Sequence, residues 1–159
     1  MSYNTIKIKK YSDHIEEAEA NAILFPGMLI EYLSTGKVQA HAREDGNAMP
    51  MFALEDELGG KGIEDAYPAA AQVQCWIPWR GDIVYALLED GQTVVLNDAL
   101  TSAGNGYLKK YTPSDDSDFT QHPLQIVGWA AETLDLTGSS GAEAGPMVDF
   151  NRFFKLRVA

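Results

Sequence analysis

The segment from Gln72 to Tyr111 constrains the fold more than any other part of the chain. Its short apolar runs are rich in β-branched and aromatic residues, and turn sequences separate them: Arg-Gly-Asp at 80–82, Glu-Asp-Gly at 89–91 and Gly-Asn-Gly at 104–106. This pattern is typical of β-strands joined by tight turns, and it lacks the spacing of a long helix. The segment therefore predicts the centre of a small antiparallel β-barrel or sandwich.

Two details of this segment bear on which side chains are exposed. Val73, Cys75 and Ile77 alternate with polar or aromatic residues, so we expect one face of this strand to be buried. If that face points inward, Trp76 points outward. Asn105-Gly106 tolerates the positive φ angles of a type I′ turn and is the best local hairpin signal in the chain.

Composition narrows the class of protein. The chain has 159 residues and 45% hydrophobic content, which is enough for the core of one domain. Its 12 Lys and Arg against 23 Asp and Glu give a formal charge of -11. This charge argues against nucleic acid as a direct partner, because the phosphate backbone requires cationic side chains. It favours solubility or docking onto a basic protein surface.

The sequence carries no signal for secretion or for a membrane. The single cysteine, Cys75, cannot form an internal disulfide, and its place in a strand pattern predicts a buried thiol. No basic start precedes an apolar signal core, and no apolar run approaches about 18 residues. We therefore expect a soluble protein made inside a cell.

The N-terminal segment reverses the sign of the overall charge. Between Thr5 and Tyr11, isoleucines alternate with lysines, as in an extended strand at a sheet edge. Such a segment is either a frayed tail or an arm that pairs with a neighbouring subunit by strand addition. The arm interpretation makes six residues candidates for partner binding: Ile6, Lys7, Ile8, Lys9, Lys10 and Tyr11.

A short helix is predicted after this arm. Ser12 or Asp13 is a suitable N-cap, and Glu-Glu-Ala-Glu-Ala at 16–20 combines helix propensity with acids near the N-terminus. Pro26-Gly27 excludes a continuation. We accordingly divide the chain into an N-terminal arm with a short helix, residues 1–22, and a β-barrel domain with long loops, residues 23–159.

Further strands and loops complete the β-domain. Alternating and β-rich patterns predict a first hairpin and three later strands, and glycine-rich or polar composition predicts the long connections. The predicted strands are 28–33, 37–42, 51–54, 124–134 and 151–159, and the predicted connections are 43–71, 112–119 and 137–146. Within the strand 124–134, Gly128 predicts a bulge or a close backbone approach.

Chemistry-bearing motifs are weak throughout. The three histidines, His14, His41 and His122, lie outside any nucleophile elbow and lack a second ligand at metal-binding spacing. Gly-Gly-Lys-Gly at 59–62 does not match a phosphate-binding loop, and the acidic residues do not form a calcium-binding loop. The sequence therefore predicts no catalytic, cofactor-binding or metal-binding residue, and we expect a protein that is not an enzyme.

The order of several short motifs resembles the head-decoration, or cement, proteins of tailed bacteriophages. The motifs are Pro-Gly-Met-Leu-Ile-Glu at 26–31, Gly-Lys-Val at 36–38, Phe-Ala-Leu-Glu-Asp-Glu-Leu at 52–58, Gly-Ile-Glu-Asp-Ala-Tyr at 62–67, and the stretches 80–88, 97–108 and 126–130. The resemblance covers roughly Ile23 to Leu136 and, more loosely, the final strand.

This resemblance implies a β-tulip-like body, often trimeric, that is made in the host cytoplasm and lies on the outer surface of the virion. Such proteins occupy three-fold and quasi-three-fold positions of an expanded capsid, and their terminal arms reach neighbouring shell subunits. The implied partners are the major capsid protein and two further copies of the chain. Among the aromatic residues, Trp76 and Trp79 are candidate contact anchors, with core packing as the alternative.

Two other functions remain open at this point. The three tryptophans are compatible with a soluble β-barrel that binds a sugar or a peptide. A trimeric nucleotide hydrolase is the enzymatic alternative, but the chain shows no phosphate-gripping motif and its negative charge would repel the substrate.

Overall fold

The computed structural model describes residues 3–11, 13–113, 124–139 and 151–159. Within these ranges the regular structure is entirely β, which confirms the mainly β prediction, and no helix occurs, contrary to the predicted short N-terminal helix. The strands are β1 (Lys7–Lys9), β2 (Ile15–Glu19), β3 (Ile30–Tyr32), β4 (Val38–Ala40), β5 (Phe52–Ala53), β6 (Gln72–Trp76), β7 (Ile83–Leu87), β8 (Thr93–Val94), β9 (Ala99–Ser102), β10 (Leu108–Lys110), β11 (Gly128–Ala130), β12 (Leu134–Asp135) and β13 (Phe153–Val158).

The strands form several antiparallel sheets. The largest has six strands in the order β1-β7-β13-β11-β9-β10, and a three-stranded sheet has the order β2-β6-β5. Strands β3 and β4 pair with each other, as do β8 and β12. None of these sheets closes within the described residues, so the predicted barrel is wrong. Closure requires every strand to pair along both sides, whereas β1 and β10 stand at the two ends of the largest sheet, and β10 contacts the chain after β7 through the isolated parallel bridge Leu88↔Leu108.

The predicted N-terminal helix is also wrong. Residues Ile15–Glu19 form strand β2, which pairs along its whole length with β6 from Ile15↔Trp76 to Glu19↔Gln72. The helix prediction rested on propensity and capping alone, which are weak when a sheet edge offers backbone partners. Pairing with β6 also buries Ala18, so tertiary contacts decide the conformation of this segment. Ser12, one of the two proposed caps, lies outside the described residues.

Both predicted hairpins are present, although the turn of the second differs from the prediction. Strands β3 and β4 form the predicted first hairpin, with Ile30 opposite Ala40. The hairpin around Asn105-Gly106 joins β9 to β10, but its turn is not type I′. Positive φ angles occur at Gly104 and Gly106, both +84°, and not at Asn105. The Ala103 N–H donates to the Tyr107 carbonyl across a longer loop, which does not need two consecutive left-handed residues.

One hydrophobic core connects the strands. Buried side chains of β7, β9 and β13 pack together with the smaller sheets, and Cys75 is buried as predicted. Gly128 in β11 confirms the predicted close backbone approach, because a Cβ there would lie 2.3 Å from the Arg157 carbonyl oxygen. Ile6, Ala18 and Ala20 from the first 22 residues belong to the same core as the rest. Residues 114–119 and 140–146 of two predicted loops lie outside the described ranges.

Candidate functional site

A tight turn between β6 and β7 is the starting point of the candidate site. The Asp82 N–H donates to the Trp79 carbonyl at 3.0 Å, and Gly81 has φ +91°. Positive φ at the third position of such a turn is the requirement of type II, which glycine meets without strain. Asp82 then closes its own turn, since its Oδ2 accepts the Trp79 N–H at 2.8 Å. The turn sequence therefore fixes where Trp79 lies.

The second oxygen of the same carboxylate holds the N-terminal segment. Asp82 Oδ1 accepts the Tyr11 N–H at 2.7 Å, across 71 residues of sequence. Asp82 is completely buried. Hydrogen bonds from backbone N–H groups to an ionised carboxylate are among the stronger ones in proteins, so one side chain fastens two distant pieces of backbone.

This arrangement brings together the backbones of two residues with exposed aromatic side chains. Tyr11 is 69% exposed and Trp79 is 63% exposed, although their backbone amides share one buried acceptor. Large rings of this kind are the side chains that most often dominate protein interfaces. Exposed rings of this kind make this end of the molecule a candidate contact surface.

Basic residues lie next to the two aromatic residues along the chain or contact the same turn. Lys9, Lys10, Arg80 and Arg157 are exposed, and the Arg157 guanidinium donates to the Gly81 carbonyl at 3.4 Å. The Lys9 ammonium lies 5.7 Å from the centre of the Tyr11 ring, within cation–π range. We name this surface the aromatic-basic end and define it as Lys9, Lys10, Tyr11, Trp79, Arg80 and Arg157.

One acidic residue faces this surface. Asp13 forms ion pairs with Lys10 and, at 3.6 Å, with Lys7. The hydrogen bond from Lys10 lowers the pKa of the Asp13 carboxyl below its usual value, so it stays ionised at neutral pH. The remaining cations make the aromatic-basic end complementary to an acidic surface, in contrast to the charge of -11 of the whole chain.

Comparison with known proteins gives one informative result. No family model matches the sequence, and no curated protein matches it either. A solved structure shares the fold. It is the crystal structure of the N base of head fiber gp8.5 in bacteriophage phi29, with a TM-score of 0.55 and 14% sequence identity. The match covers 93% of this chain and 95% of that chain.

Ile6, which the sequence assigned to partner binding, belongs instead to the core. It is completely buried, and its N–H donates to the Glu55 carboxylate. The Ile6 nitrogen lies 3.3 Å from Oε1 and 3.1 Å from Oε2 of that carboxylate. Lys7, Ile8 and Lys9 form β1, which pairs with β7 of the same chain. The segment is therefore a strand of its own sheet, and contact of its exposed edge with a neighbour stays a prediction.

The outward orientation expected for Trp76 is wrong. Its side chain is completely buried, as is that of Cys75 on the opposite face of β6. Strand β6 lies between β2 and β5, and Trp76 pairs with Ile15 on one side and Phe52 on the other. Alternation predicts two faces but not which of them becomes covered, and here the fold covers both.

Asp82 and Glu55 are the residues that sequence reasoning missed. Arg-Gly-Asp at 80–82 was identified only as a turn, and Glu55 only as part of an acidic connection. Their role depends on backbone groups of Tyr11 and Ile6, far away in sequence. No local pattern reports such a contact.

The described residues contain no group of three or more His, Cys, Asp and Glu side chains that could hold a metal. Ser102 Oγ lies 2.7 Å from His41 Nδ1, a spacing that suits a nucleophile and its base, but both residues are buried. The Ser102 hydroxyl also accepts the Gly104 N–H at 3.1 Å. This pair therefore helps to hold the hairpin loop, and the Ser102 hydroxyl is completely buried. Burial also raises the pKa of the Cys75 thiol to about 11, which makes it a poor nucleophile at neutral pH.

The described part of the chain also holds no helix with the length and apolar character needed to cross a membrane.

Proposed function

We propose that this chain is a structural protein of a phage virion that attaches to the outside of the head. The observation that carries the proposal is the fold, shared over nearly the full length of both chains with the base of a phage head fiber. The motif order that resembles decoration proteins points to the same location on a virion. Two independent likenesses therefore support a head-surface role.

In its finer form, the proposal is a homotrimer that bridges neighbouring major capsid protein subunits at three-fold and quasi-three-fold positions. A shell repeats the same contact many times, so a modest interface per copy adds up to a large stabilisation. The aromatic-basic end is the surface that we assign to this contact. The exposed rings of Tyr11 and Trp79 would bury apolar area on binding, and the neighbouring cations would favour an acidic patch on the shell.

Co-sedimentation with expanded shells that lack this protein tests the proposal. We expect saturable binding with a copy number that follows the symmetry of the shell, and a native mass of three chains for the free protein. Shells with the protein bound should also resist heat or low salt better than bare shells. Absence of co-sedimentation under all shell conditions would reject the head-surface role.

One measurement, the temperature at which the shell falls apart, distinguishes a protein that stabilises the shell from one that only attaches to it. A protein that attaches to one shell subunit binds assembled and released subunits alike, so it leaves the temperature at which the shell falls apart unchanged. A clamp that spans two subunits binds only the assembled shell and therefore raises that temperature. Binding without a shift would retain the virion role and reject the stabilising one.

A sugar- or peptide-binding module is the second candidate, and the exposed rings of Tyr11 and Trp79 are the observation that favours it. Tryptophan fluorescence separates the two functions, because Trp76 is buried and Trp79 is exposed. A response to a soluble glycan or peptide, together with failure to bind shells, would favour the module. Shell binding that such ligands do not inhibit would favour the structural protein.

A further inference from the structure

A small cavity lies between the β3–β4 hairpin and the segment that leads into β5, away from the residues of the aromatic-basic end. Its volume is about 140 Å³, comparable to cavities that admit one benzene ring. Met51 is buried at its base, whereas Met49 and Tyr32 stand at its rim with 54% and 40% exposure. The walls thus combine methionine side chains, which are apolar and change shape easily, with the polar side chains of Glu31, His41 and Asn47.

The histidine in this cavity is fully occupied by its own chain. His41 Nε2 lies 3.1 Å from the Asn47 carbonyl oxygen, which can only accept, so Nε2 carries the proton. His41 Nδ1 then accepts from the Ser102 hydroxyl at 2.7 Å. The imidazole is therefore a fixed part of the wall and has no donor left for a guest.

Unlike the His41 imidazole, the Glu31 carboxylate can accept a further hydrogen bond. One oxygen accepts from the Gln39 side chain at 3.0 Å and from the Ala42 N–H at 3.2 Å. The other oxygen lies 3.7 Å from His41 Nε2, which is too long for a hydrogen bond. Within the described residues no closer polar contact to this oxygen occurs, and the Glu31 side chain is 23% exposed. The cavity thus presents one carboxylate oxygen with unused acceptor capacity beside apolar walls.

We propose that this cavity binds one lysine or arginine side chain of a protein partner. The apolar stem of such a residue would cover Met49 and Met51, and its cationic tip would donate to the second oxygen of Glu31. The Tyr32 ring at the rim adds cation–π attraction. A neutral apolar side chain would leave the carboxylate without a donor, and an acidic one would be repelled. This inference goes beyond the proposed virion role, because the guest side chain can belong to any protein.

Methionine-methyl NMR on the isolated protein tests the cavity directly. We expect N-acetylarginine N-methylamide to shift the methyl signals of Met49 and Met51 while that of Met28, in the core, stays in place. A single side chain in a half-open cavity corresponds to a dissociation constant on the order of millimolar. The neutral N-acetylnorleucine N-methylamide should bind at least about tenfold more weakly, since it lacks the charge-assisted hydrogen bonds.

Three variants complete the test. Glu31→Gln keeps an oxygen for Gln39 and Ala42 but removes the charge, and it should reduce arginine binding to the level of the norleucine compound. Glu17→Gln removes an exposed carboxylate on β2 and should change nothing. Met49→Ala keeps the charge and should weaken both compounds alike. Equal binding of the two compounds to the unmodified chain, unchanged arginine binding in Glu31→Gln, or an absence of shifts at Met49 and Met51 would overturn the proposal. Since no shell is present, each result is independent of the proposed function.

Discussion

At the scale of single residues, Asp82 has the largest influence on the candidate site. Its two oxygens accept backbone N–H groups of Tyr11 and Trp79 at 2.7 Å and 2.8 Å. It is completely buried, so these bonds replace the water that the carboxylate gives up. The position of both exposed rings depends on this one side chain.

Replacing Asp82 with asparagine should destabilise the protein by about 1–3 kcal/mol, because the amide group presents a donor to one of the two N–H groups. Denaturant unfolding measures the loss, and amide hydrogen exchange should show faster exchange at Tyr11 or Trp79. Asp65→Asn is the matched control. Asp65 accepts the Gly62 N–H at 2.8 Å but is exposed, so its replacement should stay within about 0.5 kcal/mol. An equal effect of the two substitutions would contradict the role assigned to Asp82.

Cys75 allows a prediction about pH. Burial raises its pKa to about 11, whereas the thiol of the unfolded chain ionises at its ordinary value. The folded state therefore holds its proton while the unfolded state loses it, and the free energy of unfolding should fall as pH rises from about 9 to about 11. Cys75→Ala should flatten this part of the stability curve. A thiol reagent should react with Cys75 at about pH 8 only after denaturation, and rapid reaction of the folded protein would show that the thiol is accessible.

At the scale of elements, β1 changes the interpretation of the N-terminal segment. The sequence predicted an arm, and the structure shows an edge strand that pairs with β7 of its own chain. Its attachment comes from the buried Ile6 and from the carboxylates of Glu55 and Asp82. Deleting Met1 to Tyr11, which the arm hypothesis predicts to lower occupancy on capsids, would also remove part of the core. Surface substitutions therefore test partner binding more cleanly than a deletion.

Ile6→Ala should destabilise the protein by about 2–4 kcal/mol, the usual result of truncating a buried isoleucine and leaving a cavity. Ile23→Ala makes the same chemical change at a side chain that is 63% exposed, and it should stay within about 0.5 kcal/mol. Urea unfolding of the two variants provides the comparison. A small effect at Ile6 would mean that β1 detaches readily from the sheet, as a mobile arm would.

At the scale of the whole molecule, charge is distributed unevenly. The chain has a formal charge of -11, yet four exposed Lys and Arg residues belong to the same end of the molecule as Tyr11 and Trp79. Such polarity orients a protein as it approaches a partner and selects the end that makes contact. An acidic patch on a capsid shell would attract this end and repel the rest of the surface.

Tyr11→Ala combined with Trp79→Ala should weaken binding to expanded shells by at least about tenfold, since exposed aromatic anchors commonly contribute more than 1 kcal/mol each. The fold should be unaffected, because both rings are exposed. Leu58→Ala, at a side chain that is 90% exposed outside this surface, is the control and should bind normally. Raising sodium chloride from about 0.05 M to about 0.5 M should weaken binding of the unmodified protein. Equal binding by the double variant and the control would place the contact elsewhere.

Local patterns in the sequence were sufficient for the class of fold. The hairpin of β3 and β4, the closing strand β13, the buried Cys75 and the close approach at Gly128 were all predicted, because residue alternation, turn residues and glycine act over a few neighbours. The strand at Ile15–Glu19 was missed for the opposite reason. Its residues favour a helix locally, and only pairing with β6 makes the strand.

The amino-acid sequence by itself determined that this chain is a β protein, where most of its strands lie and what its overall charge is. Tertiary structure alone decided that Trp76 and Ile6 are buried, that the sheets stay open, and that Tyr11 meets Trp79 at Asp82. The physical reason is the distance along the chain over which each effect acts. Strand periodicity is set by adjacent residues, whereas burial and the pairing of sheet edges depend on groups that only the folded chain brings together.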